Sequence, residues 1–92
     1  MSVVTLIGYD LRKPGQNYEL LFDEIKSLGE WWHCLDSTWI VKTSLTVEQV
    51  RNRLGTRMDP NDQLLVIAAS APAAWYLTNP VCSQWLVDNL SS

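Results

Sequence analysis

One carboxylate follows a predicted strand, and it is the residue best placed to do chemistry. Asp10 comes directly after residues 3–9, an apolar run rich in β-branched side chains that is typical of a buried central strand. Carboxylate oxygens are the ligands that hard cations such as Mg²⁺ prefer, so Asp10 is a candidate metal ligand and catalytic group. One carboxylate makes a poor metal site, but a homodimer can place two copies across its two-fold axis. Chemistry alone favours the competing interpretation, in which Asp10 stabilises the turn after the strand.

Polar side chains elsewhere extend this candidate site. Arg12 and Lys13 lie in the loop after Asp10 and are candidate phosphate contacts, although solvated loop charges explain them more simply. Ser37 lies in a predicted hairpin turn, and its hydroxyl is a candidate group for a bound phosphate or metal, with an ordinary turn role preferred. His33 is the only histidine and suits acid–base chemistry near neutral pH, but a lone histidine in an aromatic strand is more often structural.

Other features of the sequence exclude several common classes of site. The chain has no G-x-x-x-x-G-K-[ST], G-x-G-x-x-G, H-E-x-x-H or G-x-S-x-G motif, which removes the commonest nucleotide-binding and hydrolase interpretations. The net charge of −3 at pH 7 argues against strong nonspecific binding to nucleic-acid phosphates. A metal-dependent nuclease with scattered acidic residues stays compatible with the sequence.

The elements that must hold these groups follow from the hydrophobic pattern. The pattern predicts, in chain order, a strand over 3–9, a helix over 18–28 capped by Asn17 and closed by Gly29, hairpin strands over 31–35 and 38–43, a helix starting with the capping box Thr46-x-x-Gln49, a loop over 59–62, a strand over 63–69, and a helix from Asn79 and Pro80 to about residue 90.

This order, β-α-β-β-α-β plus one helix, predicts the fold class. Because parallel crossovers are nearly always right-handed, it gives an α+β, ferredoxin-like sandwich with a four-stranded antiparallel sheet and both main helices on one face. We expect a single domain over 1–92, with a core at about 3–69 and a C-terminal helical extension at about 79–90. The terminal helix, a second subunit, or both must cover the other sheet face.

Cysteine usage and hydropathy bear on the compartment. Cys34 and Cys82 lack C-x-x-C spacing, so we expect both to be reduced and buried in a cytoplasmic protein; a disulfide would need an oxidising compartment. No run approaches the ~20 apolar residues of a membrane span, so no membrane partner is expected. Five Trp residues are many for 92 residues, and some are expected at a subunit interface or groove.

Longer stretches of the chain resemble a known superfamily. They are the strand ending in Tyr9-Asp10, the segments GYDLRKPGQNYELL and SLGEWWHCLDSTWIVKTSLT, and the late strand containing LLVI. Together they resemble the small CRISPR-associated protein two superfamily, and more closely its stand-alone relatives, the virulence-associated protein D group and the small proteins labelled SinR family. The resemblance covers about residues 3–69.

The resemblance implies a ferredoxin-like protomer, a homodimer built through its sheets and, as in the better-known relatives, metal-dependent endonuclease activity on RNA or DNA. It implies that Asp10 holds the metal, expected to be Mg²⁺, and that Ser37 corresponds to a hairpin serine of the nucleases. Tyr9, Arg12 and Lys13 are the candidate substrate contacts beside Asp10, although residues 11–15 depart from the family's pattern.

Two alternatives to the nuclease stay open. The first is a non-catalytic dimeric scaffold or binding module of the same fold, with an unidentified protein partner, and the acidic charge favours it. The second and weaker alternative is a small-ligand sensor, for which a Trp-lined cavity would be evidence. The retained Tyr9-Asp10 pair favours the nuclease.

Overall fold

The computed structural model describes residues 2–13, 15 and 17–90. Its elements are, in chain order, β1 (Val3–Asp10), α1 (Glu19–Lys26), β2 (Glu30–Leu35), β3 (Thr38–Thr43), α2 (Val47–Gly55), β4 (Gln63–Ala68) and α3 (Pro80–Leu90). The outermost residues of the expected domain, 1 and 91–92, lie outside the described part.

The four strands form one antiparallel sheet in the order β2-β3-β1-β4. The central strand β1 pairs with β3 from Val3 opposite Thr43, and with β4 up to Asp10 opposite Gln63. The prediction of an α+β chain with a four-stranded antiparallel sheet and an added C-terminal helix is confirmed. Within this sheet, β2 and β4 are the edge strands.

Polar side chains begin α2 and α3 as the sequence predicts, whereas the N-cap of α1 is Tyr18 and not the predicted Asn17, whose side chain accepts the N–H of Glu19 at 2.9 Å. The Thr46 hydroxyl accepts the backbone N–H of Gln49 at 3.1 Å, and the Gln49 side chain accepts the N–H of Thr46 at 2.9 Å. Asn79 likewise accepts the N–H of Val81, the second residue of α3, at 2.9 Å. These bonds satisfy backbone donors that have no partner within the helix.

Gly29 has a different role from the one predicted. The helix α1 ends at Lys26, with Ser27 as its C-cap, so Gly29 is not the residue that closes it. Its φ is +154°, and an added Cβ would overlap the carbonyl oxygen of Lys42. Glycine is therefore required here because β3 passes close to the backbone at the start of β2.

The larger core lies between one sheet face and the helices α1 and α2. Its buried members come from every one of these layers: Ile7, Leu21, Ile25, Leu28, Trp39, Val41, Val50 and Leu54. The apolar stripes of both helices thus face the sheet, which leaves their charged residues on the outside.

A smaller core places α3 on the opposite sheet face. Trp32 and Ile40 of the sheet pack with Cys82 and Leu86 of the helix. The Trp32 indole N–H donates to the carbonyl of Cys82 at 3.1 Å, and the Trp85 indole N–H donates to Glu30 at 2.9 Å. The terminal helix therefore covers part of this face, beside β2 and β3.

The expectation of reduced cysteines is wrong. Cys34 on β2 and Cys82 on α3 form a disulfide, although 48 positions separate them in the sequence. The pairing depends on α3 lying against β2, which a spacing rule within the sequence does not show. Among the described residues, no helix has the length and apolar character needed to cross a membrane.

Candidate functional site

Asp10 ends β1 opposite Gln63 of β4, and its side chain is exposed. Its Oδ2 accepts two hydrogen bonds from the guanidinium of Arg12, at 2.9 Å from Nε and 2.7 Å from the terminal nitrogen. Arg12, a candidate phosphate contact, is thus ion-paired with Asp10. Arg12 compensates the charge of Asp10 within the protomer.

The loop carrying Arg12 is held in place by Asp62, which the sequence analysis treated only as part of a loop. One carboxylate oxygen of Asp62 accepts the backbone N–H of Arg12 at 2.7 Å and the hydroxyl of Tyr18 at 2.9 Å. The other accepts the N–H of Asp59 at 2.8 Å. This carboxylate connects the β1–α1 loop to the α2–β4 loop.

The hydrogen bonds to Asp62 also set its acidity. Burial alone would raise the pKa of this carboxyl, but the N–H donors of Arg12 and Asp59 and the hydroxyl of Tyr18 outweigh it and lower the pKa. The pKa of Tyr18 is raised by burial and by the hydrogen bond its hydroxyl donates to Asp62. Both shifts favour the observed pair, with an ionised carboxylate and a neutral phenol.

Lys13 is the other predicted phosphate contact, and it too faces an acid. Its Nζ lies 3.4 Å from a carboxylate oxygen of Asp59. The two cations of the β1–α1 loop are therefore both ion-paired with carboxylates of the same protomer. A phosphate would have to compete with these carboxylates.

Tyr9 lies on the other side of the sheet from Asp10, because successive strand residues point to opposite faces. Its ring packs against the α1–α2 core. Its hydroxyl accepts the indole N–H of Trp39 at 3.0 Å and lies 3.4 Å from the carbonyl oxygen of Asp36. Burial raises the pKa of Tyr9, in spite of the hydrogen bond from Trp39. Tyr9 supports the hairpin and is not brought to Asp10.

His33 joins Tyr9 on this side of the sheet. A shift of register between Trp32 and Leu35 interrupts the β2–β3 pairing, and the imidazole ring stacks on Trp39 with centroids 3.8 Å apart and planes 9° apart. Its Nε2 lies 3.2 Å from the carbonyl oxygen of Asp36. His33 thus stacks on the buried Trp39, while its own side chain is exposed.

Ser37 contacts β1 through its backbone. Its carbonyl oxygen accepts the N–H of Tyr9 at 3.1 Å, which extends the β1–β3 ladder into the hairpin turn. The predicted pair of catalytic groups, Asp10 and Ser37, is therefore held at one end of the sheet.

Within the described part of the chain, few acidic side chains lie close to Asp10. The described residues contain no group of three or more His, Cys, Asp or Glu side chains that could hold a metal ion. One protomer offers a single carboxylate at this point, and a guanidinium lies 2.7 Å from it. Mg²⁺ usually keeps several waters and takes one or two protein carboxylates, and a cation at Asp10 would have to compete with Arg12 for that carboxylate.

A groove of about 290 Å³ lies beside Asp10, lined by Gly8, Gln63, Leu64 and Leu65 among others. Gly8 contributes no side chain, which leaves the space open between β1 and β4. Asp10, Gly8, Leu65 and Ile67 share the sheet face that carries α3, but they lie toward the β4 side. We call these four residues the open sheet face.

Comparison of the chain with models of known families, with curated proteins and with solved structures finds no match. Around Asp10, the charged side chains Arg12 and Lys13 are ion-paired with carboxylates of the same protomer. The neighbouring edge strand exposes the apolar side chains Leu65 and Ile67.

Proposed function

We propose that this protein is a homodimeric scaffold or binding module with a ferredoxin-like protomer, and that β4 is its dimerisation strand. The order β4-β1-β3-β2, with α1 and α2 on one face, supports the ferredoxin-like assignment. One observation carries the functional proposal. The edge strand β4 exposes 59% of Leu65 and 51% of Ile67.

The two edges of the sheet are protected to different degrees. Charged residues and prolines usually keep an edge strand from pairing with another chain. Residues 63–68 of β4 contain neither. The other edge, β2, has an irregular register and is joined to α3 by the disulfide. An unprotected apolar edge favours pairing with another strand.

The phase of the β1–β4 ladder indicates which groups are available for such pairing. The N–H of Ala69 donates to the carbonyl of Val4 at 2.9 Å. Because bonding alternates along an antiparallel strand, the N–H groups of Leu64, Val66 and Ala68 point away from β1. A second copy of β4, antiparallel across a two-fold axis, would satisfy them and join the two sheets.

The charge distribution favours a protein partner over a polyanion. Four of the seven Lys and Arg residues, namely Arg12, Lys13, Arg53 and Arg57, are ion-paired with acids of the same chain. Nucleic-acid affinity depends on cations that are free to neutralise phosphates. Compensated cations beside an exposed apolar strand are better suited to self-association.

Sedimentation equilibrium tests this proposal. The wild-type chain is expected at twice its 10.5 kDa mass, and Leu65→Lys is expected to weaken the dimer about tenfold or more, because it places a charge in the interface. The matched control is Leu20→Lys on α1, where the leucine is already 63% exposed. A monomeric wild type, or equal effects of the two substitutions, would overturn the proposal.

A second candidate is a metal-dependent endonuclease acting on RNA or DNA, and the exposure of Asp10 on the open sheet face favours it. It requires a different dimer. Pairing of β4 edges puts the two Asp10 residues at opposite ends of the paired strands, whereas face-to-face packing can bring them together.

Cleavage of labelled RNA and DNA with Mg²⁺ or Mn²⁺ separates the two candidates. Metal-dependent cleavage that Asp10→Asn abolishes, and that Asp23→Asn on α1 retains, would establish the nuclease. Absence of cleavage by a folded dimer would support the scaffold or binding module over the nuclease.

A further inference from the structure

A second cavity, of about 230 Å³, lies on the far side of the sheet from the main core. Leu6 and Ile40 line it from the sheet, Leu86 and Leu90 line it from α3, and residues 69–70, 73–75 and 77 line it from the segment between β4 and α3. We call this space the α3 cleft. We propose that the α3 cleft binds a small, neutral aromatic molecule of about ten non-hydrogen atoms.

The space exists because small side chains face large ones. Ala69, Ala73 and Ala74 line the cleft from the covering segment, opposite the leucine and isoleucine side chains of the sheet and of α3. Any of these positions could hold a larger residue that filled the space. The exposed side chain of Trp75 lies at the same cleft, so the cleft reaches solvent there.

The lining determines the chemistry of the ligand. Within the described chain, no charged side chain lines the cleft, and the hydroxyls of Thr38 and Ser70 are its polar side-chain groups apart from the indole nitrogens. A charged ligand would lose its hydration without gaining a partner, so a neutral one is favoured. Trp32 and Trp75 offer aromatic surface.

The volume limits the size of the ligand. A cavity of about 150 Å³ lined by Leu, Ile and Phe binds benzene. The α3 cleft is about half as large again, which suits a bicyclic aromatic such as indole.

Three links hold the wall of the cleft in place before a ligand arrives. The disulfide between Cys34 and Cys82 joins α3 to β2, and Trp32 donates to the carbonyl of Cys82. The indole of Trp85 donates to Glu30 of β2. A preformed wall reduces the ordering that binding would otherwise require.

Titration of the ¹⁵N-labelled protein with unlabelled indole tests the proposal, since the ligand gives no signal. The Nε1–H resonance of Trp32 reports on the cleft directly. We expect saturable shifts there, and at least about tenfold weaker binding of indole-3-carboxylate, which adds a charge to the same ring system.

Two matched substitutions separate the cleft from the rest of the surface. Ala73→Phe is expected to fill the cleft and abolish binding, whereas Val87→Phe, at an exposed position of α3 outside the cleft lining, is expected to leave binding unchanged. If the NMR spectrum of Ala73→Phe lacks the dispersion of a folded protein, Ala74→Leu replaces it as the variant that fills the cleft. Shifts that do not saturate, or that survive filling of the cleft in a folded variant, would overturn the proposal.

Discussion

The indole N–H of Trp39 donates a hydrogen bond to the hydroxyl of Tyr9 at 3.0 Å. Trp39 is only 1% exposed, and the ring of His33 stacks on it. The three residues form an aromatic support for the hairpin between β2 and β3. Tyr9 and His33, which the sequence singles out as candidate functional groups, thus both contact the buried Trp39.

Replacing Tyr9 should therefore affect stability. Tyr9→Phe keeps the ring but leaves the buried indole N–H of Trp39 without its acceptor, so we expect the free energy of unfolding to fall by about 1–3 kcal/mol. Urea unfolding measures this. The control is Tyr76→Phe, at a residue 96% exposed, with an expected change within about 0.5 kcal/mol. Equal effects of the two substitutions would contradict the assigned role of Tyr9.

The sequence predicts those features that depend on neighbouring residues or on general topology. The capping box at Thr46 and Gln49 and the start of α3 at Asn79 are set within one helical turn, and both are found. The four-stranded antiparallel sheet follows from the order of the elements and the handedness of crossovers. The helix caps and the handedness of the crossovers do not depend on how the loops contact one another.

Other features depend on which loops meet in space, and they were missed. Tyr18 and Asp62 are 44 positions apart, and only the folded sheet brings their loops together. The disulfide likewise depends on where α3 docks. Nothing in the sequence indicates that Asp62, at the end of the 59–62 loop, accepts hydrogen bonds from Arg12 and Tyr18 in the segment after β1.

Two glycines offer a sharp contrast. Gly29→Ala should lower the free energy of unfolding by about 3 kcal/mol or more, because its Cβ would overlap the carbonyl oxygen of Lys42. Gly55→Ala at the end of α2 meets no atom within 4 Å and should raise it by about 0.5–1 kcal/mol. Denaturant titration of both variants checks the signs. A tolerated Gly29→Ala would show that β2 and β3 do not approach so closely.

The disulfide should contribute to stability because it closes a long loop. Reduction with dithiothreitol is expected to lower the free energy of unfolding by about 2–4 kcal/mol, since it releases α3 from β2. Urea unfolding with and without the reductant measures the effect. The Cys34→Ser variant should be insensitive to the reductant. Equal stability of the oxidised and reduced wild type would rule out a role of the disulfide in holding α3.

Acid should destabilise the pairing of α1 with α2. Hydrogen bonds from Arg53, and then from Arg57, lower the pKa of Glu24 below its ordinary value of 4.5. A lowered folded pKa stabilises the protein above the ordinary value, and this stabilisation is lost as the pH falls through the folded pKa.

The Glu24→Gln variant tests this linkage. We expect it to lose about 0.5–1 kcal/mol at neutral pH and to show a shallower loss of stability between about pH 5 and pH 3. Urea midpoints across this range, with Glu48→Gln on α2 as the matched control, give the comparison. Parallel pH profiles for wild type and Glu24→Gln would contradict the assignment.

Hydrogen exchange at the amide of Val66 tests the proposed β4 pairing most directly. This N–H points away from β1, so a second copy of β4 is what would protect it, whereas the N–H of Ala69 is already bonded to Val4. As the protein concentration rises through the dimer dissociation constant, we expect exchange at Val66 to slow at least about tenfold more than at Ala69. Rapid exchange at Val66 in a sample that sedimentation shows to be dimeric would contradict pairing through β4.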